Sequence, residues 1–277
     1  MQGKTVVATG ATSGIGEAAV AKLAAMGARI VFVARDAKRA EATLAKLDAI
    51  APGRGHRAHI ADLQLIGETR RVGEEIAAVE PRIDALVNNA GAMFSQRRVT
   101  AEGLERTFAL NHMAYFALTR ALRERLVASA PARVVSTASS AHFGARLAFD
   151  DLQCAREYSA WRAYRRSKLC NVLFTRELAR RLAGTDVVAN CLHPGLVASR
   201  FGDGGDGWTG RLFSLAKRFA ISPEQGADTI VYLVSSPDAA SASGEYFVKR
   251  KVAKPSRAAC DAAAARTLWE RSEEIAE

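Results

Sequence analysis

Short apolar runs alternate with amphipathic stretches along most of this chain, and few folds accommodate that pattern. Lys4–Thr9, Arg29–Ala34, Arg57–Ile60, Ile83–Asn88, Arg133–Ala138 and Asp186–Leu192 read as strands, and Tyr246–Val248 as a short further one. Between them lie helical stretches: Gly14–Met26 (ended by Gly27), a segment running to Ile50, Leu65–Val79 (ended before Pro81), Ala101–Ser129 with a break near Asn111, and Ala160–Leu182. Strands separated by helices pair in parallel through right-handed crossovers. Strands apolar at nearly every position are covered on both faces. The expected fold is α/β, a single doubly wound parallel sheet of about seven strands with helices on both faces and a ligand at the carboxyl ends of its strands. No linker-like stretch divides the 277 residues, so one domain is expected over 1–277.

Several function classes recede on composition. The net charge is +10, from 39 Lys+Arg against 29 Asp+Glu, but the basic residues are scattered as short doublets such as Arg70-Arg71 and Arg165-Arg166. Without a nucleic-acid motif, this reads as a basic surface that draws in an anionic cofactor, with no nucleic-acid partner. Cys154, Cys170, Cys191 and Cys260 lack metal-ligand spacing, so no metal site is expected. The first strand begins too early for a signal peptide, and no apolar stretch nears the roughly 20 residues of a membrane span. The expectation is a cytoplasmic protein without an integral membrane segment.

The junction of the first strand and first helix reads Thr9-Gly10-Ala11-Thr12-Ser13-Gly14-Ile15-Gly16. Glycines at such a junction let a pyrophosphate approach the backbone, where the helix N-terminus favours its charge. Gly10, Thr12, Ser13, Gly14, Ile15 and Gly16 are therefore candidate cofactor contacts. The spacing differs from G-x-G-x-x-G, and a glycine-rich turn alone is also ordinary loop chemistry. The second strand ends Ala34-Arg35-Asp36. Arg35 suits the 2′-phosphate of NADP, whereas NAD calls for an acid there. Asp36 reads as the cap of the next helix.

Tyr164 and Lys168 are four residues apart, which on a helix places them on one face. A phenol titrates near a pKa of about 10 and is a poor acid or base at neutrality. A neighbouring ammonium favours its phenolate and makes a proton relay for an alcohol/ketone pair. Tyr158 has Arg162 at the same spacing, and a guanidinium does not release its proton.

With these features the chain resembles the short-chain dehydrogenase/reductase superfamily over essentially its whole length, a family with a Rossmann fold. The glycine turn, Asp62-Leu63, Asn88-Asn89-Ala90-Gly91, Asn111, the serine segment after the fifth strand, Tyr164-x-x-x-Lys168 and Pro194-Gly195 match in order. The resemblance implies that Asp62 and Leu63 border an adenine and that Asn88, Ala90 and Gly91 line the cofactor trough. It makes Tyr164 the general acid/base. Lys168 holds the nicotinamide ribose and lowers the pKa of Tyr164, and Asn111 holds a water leading from Lys168 to solvent. Pro194, Gly195, Leu196 and Val197 meet the nicotinamide carboxamide, with Ser199 near the pyrophosphate. In Ser136-Thr137-Ala138-Ser139-Ser140-Ala141-His142, alignment on Arg133 and on Ala141-His142 selects Ser139 as the substrate-binding serine, whereas the literal serine pair selects Ser140.

Within the superfamily the chain is most similar to the retinol dehydrogenase-like branch, through Asp150-Asp151-Leu152-Gln153, His193-Pro194-Gly195, Ser222-Pro223-Glu224-Gln225-Gly226-Ala227 and Gly244-Glu245-Tyr246-Phe247. Vertebrate relatives often carry an N-terminal membrane anchor, and no such run is present in this sequence. Residues 196–222 are expected to form a lid over an apolar substrate, with Trp208, Leu212, Phe213, Leu215, Ala216 and Phe219 on one face. A membrane-touching helix or a plain surface helix fits the same pattern. Phe143 and His142 are further candidates for the pocket wall. The expected activity is an NADP-dependent interconversion of an apolar aldehyde or ketone with its alcohol. The alternative is a dinucleotide-binding regulatory protein without turnover. The long helices could pair two copies as a homodimer, and composition is equally consistent with a monomer.

Overall fold

In Arg29–Ala34, the second strand, Ile30 and Phe32 enter one apolar cluster while Val31 and Val33 enter another. A strand whose alternate side chains are all apolar needs cover on both faces. Here both faces are covered. The computed structural model describes residues 1–195 and 221–277. Its strands are β1 (Thr5–Thr9), β2 (Arg29–Ala34), β3 (Arg57–Ile60), β4 (Ala85–Asn88), β5 (Ala132–Thr137), β6 (Val187–His193), β7 (Tyr246–Val248) and β8 (Lys251–Ala253). They form one eight-stranded sheet in the order β3-β2-β1-β4-β5-β6-β7-β8. All neighbours are parallel except β7 and β8.

The sequence pattern predicts the parallel strands but not β8. That strand follows a tight hairpin in which Lys249 and Arg250 have φ of 50° and 63°. Asn or Gly usually occupies such positions, so the local sequence carries no turn signal. The order in which strands are added reverses between β1 and β4, the position at which sheets of this kind bind ligands beyond their carboxyl ends.

On one face, α1 (Gly14–Ala25), α2 (Ala37–Ile50) and α7 (Pro223–Ser235) bury Val20, Leu23, Leu47, Ile230 and Leu233. On the other lie α3 (Ile66–Val79), α5 (Ala114–Ala128), α6 (Ala160–Arg181) and α8 (Ala262–Ala276). The caps follow from the sequence. Asp36 accepts from the Arg39 amide at 2.9 Å, which confirms its capping role. Ser222 and Gln225 form a reciprocal capping box with Pro223 in the first turn of α7.

The expected break near Asn111 is a π turn. A short α4 (Arg106–Phe108), capped by Glu105, runs through Ala109–Met113 in π geometry into α5. Such an inserted turn re-aims one side chain, here that of Asn111.

The C-terminal α8 packs along α6, and its Trp269 reaches across to α5. The Trp269 ring is 5.0 Å from that of Phe116 and stacks nearly parallel on Phe174 at 5.9 Å. His112 of the π turn and Ser272 of α8 are 2.8 Å apart. No helix among the described residues is long and apolar enough to cross a membrane.

Candidate functional site

The ends of β1, β4 and β5 are tied into one platform by small polar side chains. Thr9 Oγ1 accepts from the amides of Asn89 (2.9 Å) and Ala90 (3.0 Å). Asn89 Nδ2 reaches the carbonyls of Thr9 and Gly10, each at 3.4 Å, and Thr137 Oγ1 donates to Asn89 Oδ1 at 3.1 Å. Thr9 and Asn89 fall within the motifs read from sequence, but no role was expected of either. Short polar residues at successive strand ends are the signal that identifies them.

The glycine turn sits on this platform. Gly10 has φ +67°, and a Cβ there would lie 2.9 Å from the Ala90 backbone. A Cβ on Gly16 would lie 2.1 Å from the Gly10 carbonyl oxygen. Gly14, at φ +57°, opens α1. Ser13 precedes the helix but spends no side-chain hydrogen bond on capping it. Thr12, Ser13 and Ile15 are all partly exposed around this N-terminus. A backbone cradle that excludes side chains at the start of a helix fits a pyrophosphate.

Other expected contacts distribute around the trough. Arg35 is exposed directly after β2 and has no ion-pair partner among the described residues. Asp62 lies in the loop after β3, where its carboxylate accepts from the Gln64 amide at 3.0 Å, and Leu63 beside it is buried. Asn88 turns its amide inward to Thr119 of α5 at 3.0 Å, so only its backbone lies at the strand end. Gly91 passes close to Asn111, since an added Cβ would lie 3.2 Å from its Oδ1, with Lys168 Nζ next at 3.6 Å. Pro194 and Gly195 follow β6, and Gly195 (φ +98°) passes against Ile221. Leu196, Val197 and Ser199 lie outside the described residues, as does the expected lid helix carrying Trp208, Leu212, Phe213, Leu215, Ala216 and Phe219.

The acid–base group converges from three elements. Ser139, at the start of the 3-10 turn Ser140–His142, has its side chain beside Tyr164 of α6, where it acts to lower the pKa of the phenol. Ser140 is exposed. One turn along α6, the buried Lys168 donates to the Thr137 carbonyl at 2.9 Å, and its Nζ lies 5.6 Å from the Tyr164 ring centroid. Asn171 donates to the same carbonyl at 3.2 Å.

Asn111 accepts from the Ala92 amide at 2.8 Å. It donates to the Ala92 carbonyl at 2.9 Å and to Ser167 Oγ at 3.0 Å. It therefore clamps the loop after β4 to α6, next to Lys168. Trp161, which was not anticipated, stacks on Tyr164 with ring centroids 5.9 Å apart. Its spacing of three from Tyr164 on a helix was the available signal.

Burial governs the titration of this group. It pushes the Tyr164 phenol up to about 12, and the Ser139 side chain acts the other way. It pulls Lys168 down to about 7. The expected lowering of the phenol by an adjacent ammonium is thus outweighed here by desolvation of both groups.

His142 is not a free pocket residue. Its Nδ1 lies 2.6 Å from the Ser139 carbonyl, and its Nε2 accepts from the Ser256 amide at 3.1 Å. Burial lowers its pKa, and these partners fix the neutral tautomer protonated at Nδ1. It supports the serine turn from behind, while Phe143 is exposed. Tyr158 donates to the Phe94 carbonyl at 2.6 Å, a structural contact. No group of metal-ligating residues occurs among the described residues.

The profile of the short chain dehydrogenase family matches residues 4–204. Retinol dehydrogenase 14 of Mus musculus is 39% identical over 99% of this chain and 86% of its own length. A crystal structure of an uncharacterised protein from Mycobacterium paratuberculosis superposes with a TM-score of 0.80 at 32% identity, covering 99% of this chain and 94% of that one. The Pseudomonas aeruginosa RhlG/NADP active-site complex superposes with a TM-score of 0.71 at 27% identity, covering 89% of this chain and 94% of that one.

Proposed function

The chain belongs to the short-chain dehydrogenase family, in its retinol dehydrogenase-like branch, and is an NAD(P)-dependent dehydrogenase/reductase; from that premise we propose that it uses NADP to interconvert an apolar aldehyde or ketone with its alcohol. The observation that carries this reading is the pairing of Ser139 with Tyr164 beside a buried lysine, at the strand ends next to a side-chain-free glycine cradle.

A dinucleotide held in the glycine cradle and trough would supply the hydride chemistry at the substrate carbon. Ser139 and Tyr164 hydrogen-bond the carbonyl oxygen, and during reduction the Tyr164 hydroxyl passes its proton to it. In the oxidative direction Tyr164 takes the alcohol proton. Lys168, fixed by a main-chain carbonyl, holds the nicotinamide ribose and biases the phenol toward ionisation. Asn111 holds the β4 loop and α6 at the spacing this requires. Oxidation of NADPH by purified protein with long-chain or aromatic aldehydes tests the reading. Cofactor binding without turnover across a broad carbonyl panel would favour the regulatory alternative.

The choice of NADP rests on Arg35, an exposed guanidinium at the end of β2 with no ion-pair partner among the described residues. Asp36 is committed to its cap. Charge-assisted contacts of this kind contribute about 1.5–3 kcal/mol. Arg35→Ala should therefore raise the KM for NADPH by about 10- to 100-fold and leave that for NADH nearly unchanged. Equal changes for both cofactors would remove Arg35 as the selector.

The lowered pKa of Lys168 gives a linked expectation. In the free protein the amine is largely deprotonated above a pKa of about 7. An anionic dinucleotide alongside favours the ammonium and moves its pKa back toward about 10. Binding should then take up nearly one proton between these values. The check is calorimetry at about pH 8.5 in two buffers of different ionisation enthalpy, where the phosphate is already fully ionised. The uptake should vanish in Lys168→Met, and a binding heat independent of buffer would refute it.

A further inference from the structure

A cleft of about 380 Å³ opens beside the Tyr164 group and belongs to neither the glycine cradle nor the serine turn. Gly144–Arg146 form one wall, and Ser159, Trp161, Arg162, Arg165 and Arg166 at the start of α6 form the other. Four arginines on one cleft repel one another unless anions are interspersed. Among the described residues only Arg162 has an ion-paired carboxylate, Glu157 at 3.0 Å, and that pair is solvent-exposed.

Arg165 donates to the carbonyls of Ala141 (3.3 Å) and Phe143 (2.6 Å). Arg166 donates to the Asp151 carbonyl (2.9 Å) and to Cys154 Sγ (3.3 Å). These neutral partners hold the guanidiniums in place, and neither forms an ion pair among the described residues, Asp150 standing near Arg166 only at longer range. Arg146 is exposed and has no ion-pair partner among the described residues. Nearby Asp150 is spent on Arg156 at 2.8 Å. Trp161 joins cleft and acid–base group, since it lines the first and stacks on Tyr164, and its ring is 49% exposed.

We propose that this cleft is a substrate subsite for an organic oxyanion, a carboxylate or phosphate ester borne on an aromatic or apolar body that lies along Trp161 while its carbonyl meets Ser139 and Tyr164. The proposal rests on the oxidoreductase reading and narrows its substrate class. Planar guanidiniums in fixed positions match the paired oxygens of such an anion, and the indole face matches its body.

The test compares para-formylbenzoate, para-formylphenyl phosphate and the neutral methyl para-formylbenzoate as substrates with NADPH. The KM for at least one anion should be about tenfold below that of the ester. Which anion gains identifies the group recognised. In an Arg146→Ala/Arg162→Ala variant, or at high salt, the ratio should fall toward one. If the ester is reduced with the same KM as both anions, the subsite is overturned and the oxidoreductase reading stands. If none is reduced, that reading falls, and the subsite is judged by quenching of Trp161 fluorescence on titration with para-formylbenzoate. Quenching lost in Trp161→Phe and weakened in the arginine variant supports it, and no quenching overturns it.

Discussion

Tyr164→Phe should lower kcat/KM for reduction of an apolar aldehyde by NADPH about 10³-fold while NADPH affinity changes by less than about threefold, as general acid–base groups contribute about 10²- to 10⁴-fold. The substitution removes one oxygen and leaves the ring. Stacking on Trp161 at 5.9 Å survives, and so does the fold of α6. What disappears is the hydroxyl that meets Ser139 and delivers the proton. No other described group is placed to deliver a proton here, although Lys168 is pulled down to about 7. His142 is held neutral between Ser139 and Ser256, and Lys168 is turned to Thr137. Steady-state rates and a fluorescence titration on the same preparation separate chemistry from binding. A variant that retained more than about a tenth of the wild-type rate would show that another group supplies the proton.

Gly16→Ala should weaken NADPH binding by about 100-fold or more and cost about 1–3 kcal/mol of stability. The new methyl would stand 2.1 Å from the Gly10 carbonyl oxygen and 2.5 Å from Asn89 Nδ2. Neither neighbour yields cheaply. The first is main chain, and the second is tied to Thr137 and through it to β5. Relief requires the turn to open, which moves the amides at the start of α1 away from the phosphates they would hold. Thermal unfolding with and without NADPH resolves the two effects: the variant should melt lower and gain little from the cofactor. Unchanged affinity in a folded variant would mean that the pyrophosphate lies elsewhere.

The sequence pattern predicts β2, β3 and β7 to the residue and the other parallel strands to within two residues. Buried parallel strands announce themselves because both faces must be apolar. β8 lacks that signal, being short, exposed and preceded by Lys249-Arg250 at a turn that ordinarily selects Asn-Gly. The break at Asn111 is visible in sequence, but its form is not, since a π turn depends on the pull of the Ala92 backbone and Ser167 from two other elements. Ser139 and Ser140 remain alternatives in sequence because both follow one strand. The chain bend after β5 distinguishes them, placing one half-buried beside Tyr164 and exposing the other. Arg165-Arg166 reads as one scattered doublet among several until the fold brings Arg146 across from it. The opposing desolvation of Tyr164 and Lys168 is equally a property of the packed interior and has no counterpart in i, i+4 spacing.

The anchor of Lys168 is the main-chain oxygen of residue 137, shared with Asn171. Every amino acid carries that oxygen, so substitution at this position cannot delete it as long as the strand pairs. The lysine is therefore registered to the sheet ladder itself, and no side chain need covary with it. Among diverged copies of this fold, the ammonium would stay aimed through drift that erases most of its neighbours' identities.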